Sequence, residues 1–196
     1  MNRLALSFVF YFLTLCFSFS QENNNKQNTF IGINPAVSLT VGCLSTIMDA
    51  NTTYIPVHIV INHSFSRHFG LSGLLLYRLE KDNDFKTNEI GFAVGPSYLS
   101  NELSGFFADL KFGIGLAAGQ NNLKEDYTRT DLIIQPDIGF FKKFSGGFAM
   151  SFGLGLQSLL KITENPPRDG VWYWNATGKF SHYYLPVLDI SLGYSF

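Results

Sequence analysis

The sequence predicts an all-β chain folded as an eight-stranded antiparallel up-and-down transmembrane β-barrel, with short turns at one end and longer loops at the other. Three observations carry that expectation. Bulky apolar residues alternate with small or polar ones over eight separate stretches, which is the pattern of strands with two unlike faces. The connections between these stretches alternate in length. The composition joins 20 Phe, 9 Tyr and 18 Gly to only 15% charged residues, a balance that suits a lipid-facing barrel better than a water-soluble domain.

The chain divides into residues 1–20, 21–28 and 29–196. Arg3 precedes an almost wholly apolar run from Leu4 to Phe17, and Ser18 and Ser20 stand three and one residues before a change to the polar Gln21 and Glu22. A charged start, a short apolar middle and small residues at the cut describe a cleaved secretory signal peptide, with cleavage expected after Ser20. The apolar run falls short of the roughly 20 residues that a spanning helix needs. Cys16 invites acylation, but Leu15 stands where a lipoprotein signal requires a small residue. Residues 21–28 are polar and Asn-rich and read as a disordered leader.

Removal of Arg3 with the signal leaves 13 of the 14 Lys and Arg against 15 Asp and Glu, so no basic field for nucleic acid exists. Cys43 is then the single remaining thiol, which rules out an intramolecular disulfide. No apolar stretch of helix length remains after the signal, so membrane entry would require strands.

Eight strands are expected, over residues 31–42, 55–62, 69–79, 89–98, 106–117, 132–140, 148–157 and 182–196. The fifth has the plainest register: Phe106, Ala108, Leu110, Phe112, Ile114 and Leu116 oppose Phe107, Asp109, Lys111, Gly113, Gly115 and Ala117. The last is as regular, with Tyr184, Pro186, Leu188, Ile190, Leu192, Tyr194 and Phe196 on one face and Asp189, Ser191, Gly193 and Ser195 on the other. Short connections are expected at residues 66–68, 101–104 and 143–146, and long ones at 45–53, 80–87, 120–130 and 163–181. Phe65, Phe69, Tyr98, Phe106, Phe140, Phe148 and Phe196 all fall beside the short turns or the terminus, where an interfacial aromatic girdle would sit.

This architecture, with the alternating final strand that ends on Tyr194 and Phe196, resembles the small eight-stranded outer-membrane β-barrels of the OmpA and OmpX type, including the outer membrane protein beta-barrel domain and porin-like families. The resemblance covers residues 29–196 and contains no functional signature motif. It implies a Gram-negative outer-membrane location, periplasmic short turns and extracellular long loops. It also implies that Tyr194 and Phe196 form an insertion signal read by the barrel-assembly machinery, and that outer-membrane lipid surrounds a monomer.

An eight-stranded barrel has an interior just wide enough to be filled by side chains. Charges inside must pair, because an unpaired one costs several kcal/mol. Arg78 and Glu89 lie at equal spacing from the loop between the third and fourth strands, so they are expected to face each other. Lys111 and Asp137 are similarly placed about the fifth loop, with Asp109 and Asp189 at nearby depth. Two interior ion clusters are therefore expected to plug the lumen, and a narrow pore is the rival reading.

No catalytic, cofactor-binding or metal-ligating set is expected. Some barrels of this kind modify lipid with a His and a Ser, but His63 and Ser64 stand beside a short turn, and His182 with Ser181 lacks an evident acidic partner. Gly113, Gly115, Gly153 and Gly155 read as inward glycines that leave room in the lumen rather than as a phosphate cradle. The last loop carries Trp172, Tyr173 and Trp174, rings suited to a surface ligand or to an outer aromatic belt. The expectation is a non-enzymatic outer-membrane protein with a structural or surface-recognition role.

Overall fold

A computed structural model describes residues 29–37, 53–81, 85–101, 103–121, 126–165 and 182–196. The expected signal peptide and leader, Cys43 and the loop with Trp172, Tyr173 and Trp174 lie outside the described residues.

Eight strands close into one antiparallel barrel in chain order: β1 (Thr29–Asn34), β2 (Thr53–Ser64), β3 (Phe69–Lys81), β4 (Phe85–Leu99), β5 (Gly105–Asn121), β6 (Asp126–Lys143), β7 (Phe148–Asn165) and β8 (His182–Ser195). The seam joins β1 to β8 with Phe30 opposite Ser195 and Gly32 opposite Gly193. Thr29 and Phe196 extend it, each amide donating to the other's carbonyl at 3.0 and 2.9 Å. Closure satisfies the backbone edge that an open sheet would leave unpaired.

The period of two sends successive side chains to opposite faces, and here the bulky row points away from the barrel axis. Phe112, Phe152 and Leu192 are 47%, 52% and 43% exposed, whereas Lys111, Asp137 and Ser191 are 3%, 2% and 0% exposed. A soluble barrel has the opposite arrangement. Around the short-turn end, Phe69 meets Tyr98, Phe106 meets Phe140 and Phe144 meets Phe148, with ring centroids 6.2, 5.7 and 5.5 Å apart.

The three short connections lie at residues 65–68, 100–104 and 144–147. The last contains a 3-10 turn, Ser145–Gly147, in which Gly147 adopts φ +85° beneath the Tyr194 ring. A Cβ there would collide with that ring, so the position requires Gly on two counts. At the opposite end the strands outrun expectation. β5 extends to Asn121 and β6 begins at Asp126, so most of the stretch read as a loop over residues 120–130 is strand.

The first strand differs more. Alternation suggested that it runs to residue 42, but β1 stops at Asn34 and residues 35–37 are helical. Asn34 Oδ1 accepts hydrogen bonds from the amides of Ala36 at 3.0 Å and Val37 at 3.3 Å, which makes Asn34 an N-cap with Pro35 at the first helical position. Asn34 Nδ2 donates to Leu188 O at 3.2 Å, so a side-chain amide contacts β8 just beyond the end of the β1–β8 ladder.

Pro96 and Pro136 stay within strands because the ladder is interrupted where their missing amides would bond. The β4–β5 register passes from Val94 opposite Phe112 to Ser97 opposite Asp109, and the β6–β7 register passes from Ile134 opposite Ser158 to Asp137 opposite Gly155.

Two apolar clusters also occupy the lumen. At the short-turn end Phe30, Leu99, Leu103, Phe107, Phe141 and Ala149 pack together. Phe141 meets Phe30 edge-on at 5.5 Å and Phe107 at 4.8 Å, so aromatic rings fill this end of the barrel. The β4–β5 connection folds Leu103 into that cluster, where it is buried. Val60, Leu74, Leu76, Ala93, Ile133 and Leu159 form the second cluster.

The charged interior as candidate functional site

Among the described residues, the buried charged side chains all lie on the inward rows of the strands. Nearer the loop end, Arg78 on β3 and Glu89 on β4 occupy opposed register positions, with Arg78 Nη1 3.4 Å from Glu89 Oε1. Glu89 lies opposite Ala117, and Ala117 opposite Arg129, so a methyl side chain separates the two ions on β5. Arg129 reaches past it, placing Nη2 3.1 Å from Glu89 Oε2 and Nε 2.7 Å from Asp131 Oδ2. A Cβ at Gly115 would crowd Glu89 Oε1, so glycine makes space for the carboxylate. The result is a chain of two cations and two anions, balanced in charge.

Nearer the aromatic layer, Lys111 Nζ lies 2.7 Å from Asp109 Oδ1 and also bonds Asp137 Oδ2. Gln135 Nε2 donates to both oxygens of Asp137, at 3.0 and 2.9 Å. The position opposite Asp137 is Gly155, and a Cβ there would strike Asp137 Oδ1. Asp189 is inward too, but the side chains that donate to it carry no charge: Asn34 Nδ2 at 3.2 Å, Ser151 Oγ at 3.4 Å and Ser191 Oγ at 2.5 Å.

The two groups are linked. Arg78 Nη2 donates to Gln157 Oε1, and Gln157 Nε2 donates to Gln135 Oε1 at 2.7 Å. Hydrogen bonds therefore run without a break from Asp131 through Arg129, Glu89, Arg78, Gln157, Gln135, Asp137 and Lys111 to Asp109. In a buried interior such a continuous network holds the facing strands in register, although Asp131 Oδ1 at its end makes no hydrogen bond.

Of the residues singled out in the sequence, Arg78 and Glu89 come together, and so do Lys111, Asp109 and Asp137; Asp189 joins Asn34 and the two serines. Tyr194 is exposed on the outer face, and Phe196 closes the seam with Thr29. Sequence reasoning missed Arg129 and Asp131, which continue the inward row of Ile133, Gln135 and Asp137: Arg129 falls within the expected loop, and Asp131 between that loop and the expected sixth strand. It also gave Gln157 no role, although the alternation had placed it inward. Among the described residues, no group of three or more His, Cys, Asp or Glu side chains is arranged to hold a metal ion.

The site and fold define a closed eight-stranded barrel with a charged, hydrogen-bonded interior. Comparison with family models, curated proteins and solved structures finds no match for this chain.

Proposed function

We propose that this chain is an integral outer-membrane β-barrel with a structural or surface-recognition role, its lumen closed to solutes by its own side chains. One observation carries the reading: the bulky apolar residues are exposed around the outside while the ions are buried within. Such a surface is costly in water and matched to lipid hydrocarbon, and the aromatic rings beside the short turns suit the membrane interface. Outward polar pairs such as Tyr77 with Asn88 at 3.0 Å and Gln120 with Asp126 at 3.1 Å mark where this belt gives way toward the loop end.

The resemblance in the final strand supports export through a cleaved signal peptide and recognition of Tyr194 and Phe196 by the barrel-assembly machinery. Surrounding lipid is then the principal partner, and the loop with Trp172, Tyr173 and Trp174 is the candidate contact for a surface ligand. A continuous ion network above an aromatic layer favours a closed barrel over a pore.

Expression with the native leader tests the reading. The expected result is a carbonate-resistant membrane protein whose gel migration changes on boiling and which gives no conductance steps in a planar bilayer. Release into the soluble fraction would refute the membrane assignment, and discrete conductance steps would refute the closed lumen.

A further inference from the structure

Between the ion pair of Lys111 and the aromatic layer, a band of oxygen atoms crosses four adjacent strands. Asn62 on β2 lies opposite Ser72 on β3, and Ser97 on β4 lies opposite Asp109 on β5. Ser72 is opposite Gly95, two residues before Ser97, so the two serines are diagonal neighbours on one face. Asn62, Ser72 and Ser97 are 3%, 0% and 2% exposed, yet Asn62 Oδ1, Ser72 Oγ and Ser97 Oγ make no hydrogen bond. Ser72 Oγ faces the Asp109 carboxylate at the margin of a hydrogen bond, so the hydroxyl and the carboxylate point into one space.

Buried polar atoms without partners are rare, and several on one surface point to something that they hold. The charge of the surrounding layer indicates its sign. In formal charge Asp109, Asp137 and Asp189 stand against Lys111, three carboxyl groups to one ammonium, whereas the neighbouring group of Arg78, Arg129, Glu89 and Asp131 is balanced. Oxygen donors select hard cations. A single carboxylate in the band, already engaged by Lys111 through Oδ1, suits a singly charged ion better than a divalent one.

We propose that Asn62, Ser72, Ser97 and Asp109 form an interior binding site for a small hard monovalent cation of the sodium class. The ion offsets part of the negative excess and gives the orphaned oxygens a partner. It sits directly behind the aromatic layer, so its binding stabilises the closed barrel rather than carrying current.

The test is reversible urea unfolding of the refolded mature barrel in lipid bilayers, in sodium chloride and in choline chloride at equal ionic strength. Where sodium exceeds its dissociation constant, the folded-to-unfolded ratio should grow about tenfold for each tenfold rise in sodium. Choline should have no such effect. Ser97→Ala and, separately, Ser72→Ala should fold with the same heat-modifiable migration and lose the sodium dependence. Equal unfolding in the two salts, or an undiminished sodium effect in both variants, would overturn the site. Folding in the bilayer is scored independently by migration, so failure of the membrane reading and failure of the cation site give different results.

Discussion

Arg78 and Glu89 stand directly opposite each other on β3 and β4, buried within the barrel, and Glu89 also holds Arg129. One carboxylate thus answers two guanidinium groups.

Glu89→Ala leaves both arginines without that carboxylate. Loss of one partner of a buried ion pair costs about 3–5 kcal/mol because the remaining charge stays in a poor solvent. Urea unfolding in bilayers should show a destabilisation of that order, and Glu89→Ala combined with Arg78→Met should recover part of it. No recovery in the double variant would show that the pair is not energetically coupled.

The outer face responds differently. Leu154→Arg places a charge on the exposed apolar surface, one outward position deeper than the Phe140–Phe152 pair, and should cost about 2–4 kcal/mol, as measured by folding into vesicles. Gln120→Arg, on β5 beside Asp126 and beyond the apolar belt, should change stability little. Equal effects at the two positions would remove the basis for a lipid-facing belt.

Asn34→Ala removes the cap of the helical turn together with a donor to Asp189. The cap alone contributes about 1 kcal/mol. Asn34→Ala should therefore lower stability by at least that amount, whereas Asn34→Asp, which keeps the cap but sets a second carboxylate beside Asp189, should be the worse variant. Asn34→Asp as stable as the native chain would show that Asp189 does not sense its neighbour.

Phe107→Ala opens the aromatic layer, and large-to-small changes of this kind cost about 3–5 kcal/mol. The ion network behind it is untouched, so planar-bilayer current should stay at baseline. Conductance steps in Phe107→Ala would mean that the aromatic layer alone seals the barrel.

Strand number, order and facing were legible in the sequence because alternation over stretches such as Phe106 to Ala117 is a direct imprint of the pleat. The equal spacing of Arg78 and Glu89 from their loop carried the same information about register. Alternation misled at Asn34, where the apolar row continues through Pro35 and Val37 although a capping side chain and a proline start a helical turn. It fell silent over residues 120–130, because strands that rise past the apolar belt have polar residues on both faces, so Arg129 reads as loop and Asp131 falls just outside the expected strand. The fold of Leu103 into the lumen had no periodic signal, because a turn residue has no strand phase. Three-body contacts such as Arg129 reaching Glu89 across Ala117 depend on side-chain length and barrel curvature, which spacing along one strand does not encode.

The most direct measurement of the central claim is tryptophan quenching by lipids brominated in mid-chain. Phe112→Trp, Phe152→Trp and Leu192→Trp are each introduced into the mature barrel carrying Trp172→Phe and Trp174→Phe. The account predicts strong quenching at all three positions, because each native ring or branched chain faces outward. Folded barrels whose introduced indoles emit without regard to bromine would contradict it and would return the apolar row to the inside of a soluble fold.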